Sequence, residues 1–154
     1  MLETKDVKQI LSEHEFLSGM EERHIERMAE FARLKVVHEG EYMFRAGEVA
    51  DCCYLIRDGR IAIEVLHPSR GPVTIQTLGA NKVVGWSWLS PPYEWRFDGR
   101  ALELTRGVCI GSDRLRKACE QDHEFGYQIL MRFVPLISDR LEATRLQLLD
   151  LYGP

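Results

Sequence analysis

Short runs of alternating apolar and polar residues fill the middle of this chain, and helix-spaced apolar stripes flank them. The clearest alternation is Gly40 to Val65, GEYMFRAGEVADCCYLIRDGRIAIEV. Side chains two apart share a strand face, so Tyr42 and Phe44 point one way and Met43 and Arg45 the other. Ala46-Gly47-Glu48 breaks the run, and Tyr54 and Ile56 resume it. Asp58-Gly59 reads as a two-residue hairpin, because both residue types accept positive φ. Ile61, Ile63 and Val65 then carry the return strand on one face. Strand, glycine turn, strand, glycine turn, strand predicts a small all-β roll or barrel rather than βαβ units.

The β pattern runs from Ala32 to Gly111. Leu34, Val36 and His38 open it. His67 to Pro72 reads as a loop, Val73, Ile75 and Thr77 as a strand, and Gly79-Ala80-Asn81 as a turn. Val83-Val84 leads into an aromatic insert, and Ala101 to Ile110 reads as a last hairpin around Arg106-Gly107. Upstream, Ser12–Glu15 and Ser18–Glu21 each fit a capping box. Ile25, Met28, Ala29 and Ala32 follow the second box at helical spacing, as in a helix packed on the β core. Downstream, Ser112 to Gln121 reads as a short helix with Ser112 as N-cap. Asp122 opens a long helix whose Phe125, Ile129, Phe133, Ile137, Leu141, Thr144, Leu148 and Leu151 make a nearly heptad seam. Pro135 predicts a kink near Arg132. The chain's own core or a partner helix could cover this seam. Leu146 and Leu149 leave apolar surface beside it, which favours a partner and hence a homodimer through the C-terminal helix.

Composition narrows the class. The 154 residues suit one domain, divided into N-terminal helices (1–33), a β-roll (34–111) and C-terminal helices (112–154). A hydrophobic share of 45% and a charged share of 29% are those of a soluble globular protein. The net charge of −4 argues against a dominant nucleic-acid surface. MLETKDVKQI lacks the apolar core of a signal peptide, and no apolar run reaches the roughly 18 residues of a membrane span. These features predict a cytoplasmic protein that neither enters a membrane nor binds nucleic acid directly. Cys52, Cys53, Cys109 and Cys119 fit no zinc spacing and read as reduced thiols. The five histidines are scattered and no serine sits in a nucleophile elbow, so no catalytic constellation is visible and the chain does not read as an enzyme.

The order Gly40-Glu41, Gly47, Tyr54-Leu55-Ile56, Gly59 and Ile61 resembles the cyclic-nucleotide-binding domain family of catabolite activators, nucleotide-dependent kinases and gated channels. The resemblance implies a mainly β fold with flanking helices. Its core is an antiparallel β-roll (double-stranded jelly roll) with N-terminal helices and a long C-terminal helix that pairs two subunits. It also implies a regulatory sensor for cyclic AMP or cyclic GMP. The family's transcription factors continue into a winged helix. This chain stops at Tyr152-Gly153-Pro154, which reads as a stand-alone sensor domain without a DNA-binding domain.

A buried phosphate needs backbone N–H groups at a helix start and an Arg, and the ribose hydroxyl needs a carboxylate. The family supplies these in a cassette that corresponds here to VVGWSWLSPPYEWRFDGRAL, Val83 to Leu102. Gly85 matches the cassette glycine, and Ser87 could donate from the helix start. Trp86 stands where the family has its ribose-binding Glu, and an indole is a donor only. Arg96 lies near the place of the phosphate Arg, but Phe97-Asp98 follows it instead of Ser/Thr-Ala. Trp86, Trp88 and Trp95 all fall in this insert, either as a lid for a planar ligand or as filling for a pocket that holds none. The candidate ligand-binding residues are therefore Gly85, Trp86, Ser87, Trp88 and Arg96. No metal site and no certain cofactor are expected. Two functions remain: a regulatory sensor with a degenerate phosphate and ribose cassette, or a non-nucleotide-binding β-roll that acts as a protein-interaction or dimerisation module.

Overall fold

The computed structural model describes residues 2–153, with side chains from residue 7 onward. Met1 and Pro154, the ends of the sequence reading, lie outside the described residues. The elements are α1 (Leu2–Glu13), a 3-10 turn (Glu15–Leu17), α2 (Glu22–Ala29), β1 (Ala32–Val37), β2 (Tyr42–Phe44), β3 (Cys52–Asp58), β4 (Ile61–His67), β5 (Gly71–Leu78), β6 (Val83–Val84), β7 (Asp98–Ala101), β8 (Thr105–Gly111), α3 (Ser112–Gln121) and α4 (His123–Leu151). Two compact units emerge, Met1–Lys117 and Ala118–Pro154.

In the first unit eight strands form two four-stranded sheets, ordered β1-β8-β3-β6 and β2-β7-β4-β5. Every pairing is antiparallel. The expected antiparallel roll with flanking helices is the fold observed. Buried residues from both sheets, among them Phe44, Leu55, Ile56, Ile61, Ile63, Val84 and Ile110, make the core.

Strand pairing departs from the local pattern at two turns. β3 and β4 do not pair, because they belong to different sheets. Asp58-Gly59 is thus a corner between sheets rather than a hairpin. Gly59 has φ +102, and a Cβ there would run into Thr105 and the Leu104 carbonyl. Glycine is needed because the corner presses on the start of β8, where Arg60 N donates to Thr105 Oγ1 (3.1 Å). Arg106-Gly107 likewise lies inside β8, and the chain changes sheets over residues 102–104. Gly107 sits there because a Cβ would collide with the Leu55 carbonyl of the neighbouring strand. The one hairpin between consecutive strands among the described residues joins β4 to β5 through residues 68–70.

The helix starts also differ from expectation. Ser12 lies in the last turn of α1 and donates to the Lys8 carbonyl (2.9 Å). His14 caps the following turn instead, its Nδ1 accepting from Phe16 N (3.2 Å). α2 begins at Glu22, so Ser18 is too far upstream to cap it, and Ala32 already belongs to β1. Ile25, Met28 and Ala29 are buried as expected. In β1 the outward face carries Leu34 and Val36, while Val37 is buried. Ser112 does not cap α3: its hydroxyl donates to the Ala50 carbonyl (2.7 Å).

Cys52 and Cys109 sit diagonally on one face of the β3–β8 pair, with Cα atoms 5.5 Å apart, and form a disulfide. The expectation of four reduced thiols fails for this pair because its contact is made across the sheet, not along the strand. Cys53 and Cys119 take no part in a disulfide.

In the second unit Asp122 caps α4, accepting from Glu124 N (3.1 Å) and Phe125 N (3.2 Å). α4 runs through Pro135 for 29 residues. The expected seam splits. Phe125, Ile129 and Phe133 are buried, whereas Ile137, Leu141, Leu148 and Leu151 are exposed. The exposed residues belong to a second stripe that starts with Tyr127, Leu130 and Val134.

Candidate functional site

The insert between β6 and β7 spans residues 85–97. It forms turns and bends rather than a helix, with one turn closed by Leu89 N donating to the Trp86 carbonyl (2.9 Å). Ser87 therefore does not stand at a helix start, and no helix dipole faces this region from within the insert.

The insert is stitched to the Arg45–Ala50 turn by backbone hydrogen bonds. Gly47 N donates to the Trp95 carbonyl (2.7 Å), Trp95 N to the Glu48 carbonyl (2.8 Å) and Ala50 N to the Tyr93 carbonyl (2.7 Å). Glu48 closes the turn by accepting from Arg45 N (2.7 Å). The Arg45–Glu48 turn, with the Gly47 of the family resemblance, thus serves here to hold Trp95.

Trp95 is 2% exposed and fills the interior of the roll. Its ring stacks on Phe44 from the other sheet edge, with centroids 3.8 Å apart and planes at 14°. Tyr54 lies 6.0 Å from Trp95 and 6.2 Å from Phe44, both stacked. Phe97 meets Phe44 edge-on at 5.9 Å. Four rings from β2, β3 and the insert thus occupy one space between the sheets. Burial pushes the Tyr54 hydroxyl up to about 12, with Asp51 adding to the shift, so the cluster stays neutral.

Two glycines admit these rings. Gly85 has φ +71, and a Cβ there would approach Trp95 to 3.1 Å and Phe97 to 3.4 Å. At buried Gly99 a Cβ would meet the Phe44 ring at 2.6 Å.

The sequence-predicted residues do not converge. Gly85 abuts the rings. Trp88 is fully buried, and its side chain hydrogen-bonds the Cys53 thiol, which burial pushes up to about 12. Trp86 and Ser87 are half-buried, and Arg96 is exposed. Charge near the insert is taken up internally. Asp98 accepts from Ala46 N (2.7 Å) and from Arg45 Nε (3.4 Å), while the Arg45 guanidinium also covers the Tyr42 ring at 3.9 Å. The buried carboxylate of Glu64 holds Arg100 through Nη2 (2.8 Å) and Nε (3.1 Å), which raises the guanidinium pKa further. An open groove of about 300 Å³ lies elsewhere, lined by Gln9, Ile10, Glu13, Leu34 and Arg57.

Sequence reasoning missed Phe44, Tyr54 and Phe97 as parts of this site. The strand alternation signalled that Phe44 and Tyr54 each share a face with core residues, but not that those faces meet.

The family model for the cyclic nucleotide-binding domain matches residues 34–122, more than half of the 154. The chain belongs to the cyclic nucleotide-binding domain family. Solved structures agree on the fold. A cyclic nucleotide-binding domain from Methylobacillus flagellatus KT superposes with a TM-score of 0.78 at 16% identity, over 96% of this chain and 83% of that one. The sensor domain of the transcriptional regulator DNR from Pseudomonas aeruginosa gives 0.73 at 14% identity, over 92% and 95%. The regulatory subunit of a cAMP-independent protein kinase A from Trypanosoma brucei gives 0.64 at 18% identity, over 84% and 52%. No curated protein sequence matches the chain. Members of the family bind cyclic AMP or cyclic GMP and are regulatory. Among the described residues no helix is long and apolar enough to cross a membrane.

Proposed function

We propose that this member of the cyclic-nucleotide-binding family is a regulatory roll that works without a cyclic nucleotide, its own rings filling the interior, and acts through protein contacts along α4. The observation that carries the reading is the Phe44–Trp95 stack at 3.8 Å, with Trp95 buried. An anionic phosphate brought in there would meet apolar rings without a paired cation, a costly burial. Arg96 points to solvent, and the candidate cassette presents a turn where a helix start would be needed. The regulatory subunit of a cAMP-independent protein kinase A from Trypanosoma brucei has the same fold.

Titration calorimetry with cyclic AMP and cyclic GMP tests this, with Trp fluorescence as a second readout. The expected result is no heat, no quenching and no thermal shift at about millimolar nucleotide, a level that any site worth more than about 4 kcal/mol would reveal. Micromolar binding would overturn the reading in favour of a nucleotide sensor. Trp86→Glu alone should not create binding, because it adds an acceptor for the ribose and no cation for the phosphate.

For the contacts, the exposed stripe Tyr127, Leu130, Val134, Ile137, Leu141, Leu148 and Leu151 follows a 3-4 spacing. It supports a homodimer formed through α4, with each copy presenting the same stripe.

A further inference from the structure

Arg116 of α3 touches the insert at two points. Its Nη1 donates to the Trp88 carbonyl (2.7 Å), and its guanidinium lies 4.0 Å from the centroid of the Tyr93 ring. Asp113, one helical turn back, stands 3.8 Å from Nη2 and helps to aim the side chain. An arginine can do both, since its edge donates hydrogen bonds while its face stacks. Tyr93 is itself in an unfavourable conformation, with φ +57 on a bulky aromatic residue. Its N–H donates to the Ser90 carbonyl (3.0 Å) and its carbonyl accepts from Ala50 N (2.7 Å), so the backbone is tied on both sides while Arg116 covers the ring.

We infer that Arg116 is the latch of the insert: it holds residues 86–97, whose Trp95 and Phe97 belong to the aromatic interior, in place and ties their position to α3. Any movement that lifts Trp88 or turns Tyr93 must break a contact to this one side chain. The strained backbone at Tyr93 favours release once the latch is gone. Arg116 is a positioning residue.

Hydrogen exchange by mass spectrometry on the full chain tests the latch, comparing the unaltered protein with Arg116→Ala and Arg116→Lys. Losing a charge-assisted bond and a stack should accelerate exchange in residues 86–97 about tenfold or more. Peptides from β4 and β5 should not change. Arg116→Lys should fall between, because an ammonium cannot donate and stack at once. The three tryptophans all lie in the insert, so acrylamide quenching should rise in parallel. Unchanged exchange in the insert, or equal acceleration across both sheets, would overturn the assignment. If Arg116→Ala does not fold, Tyr93→Leu removes the stack alone. A smaller but still selective acceleration is then expected, and its absence counts against the latch.

Discussion

Trp95 fills space inside the roll, and its neighbours are fitted to it. Trp95→Ala should cost about 3–5 kcal/mol, the range for deleting a buried aromatic ring, read from urea unfolding with an unchanged slope. Gly99 offers a sharper check. Adding a methyl there forces it against Phe44 at 2.6 Å, within the core. Gly99→Ala should therefore destabilise by about 1–3 kcal/mol, as overpacking does. Phe44→Leu in the same chain should recover part of that loss, because the two residues share one contact. That the insert is aromatic was plain from Trp86, Trp88 and Trp95. That Trp95 lies on Phe44 was not, since the two are some fifty positions apart and no local periodicity links them. Arg96 was a candidate through its place in the cassette; it is exposed beside buried Trp95, whose backbone the Arg45–Ala50 turn holds.

His14 carries a testable coupling between the N-terminal elements and the roll. It is buried, and its Nε2 stands 2.9 Å from the Ile56 carbonyl while Nδ1 accepts from Phe16 N. These roles require the neutral ring, with its proton on Nε2 donating to Ile56. Burial lowers the pKa below the ordinary 6.5, partly offset by the Ile56 bond and by Glu15. In the unfolded chain the ring takes up its proton more readily. The stabilisation is therefore full above pH 6.5 and is lost as pH falls below 6.5 through the folded value. Thermal unfolding across that range should show a drop that His14→Gln lessens. Most elements were legible in the alternation and the helical spacing: β1 to β6 and α3 to α4 stand close to where the pattern put them, whereas β7 fell in the aromatic insert and a hairpin was expected inside β8. Element pairing was less so. Asp58-Gly59 has the chemistry of a hairpin, yet only the contact of Gly59 with Thr105 reveals that the chain is changing sheets there. Capping was misjudged where Ser12 and Ser112 found carbonyl partners instead of free N–H groups.

At the scale of the molecule, the exposed stripe of α4 predicts association. Sedimentation at tens of micromolar should find two copies together, and Leu141→Asp with Leu148→Asp should return the protein to a monomer with an intact roll. A monomeric unaltered protein at that concentration would remove the pairing. The sheet order has a different consequence, for the birth of the protein. Of the six strand pairings among the described residues, β4–β5 alone joins neighbours in the chain. Ala32 pairs with Ile110 and Tyr42 with Arg100, so the first strands to leave the ribosome have no partner until the last have been made. Such long-range closure slows folding, and synthesis leaves Val37 and Phe44, buried in the finished roll, waiting in the open. A nascent chain arrested before residue 105 should remain protease-sensitive across β1 to β3, and one extended past α3 should become resistant.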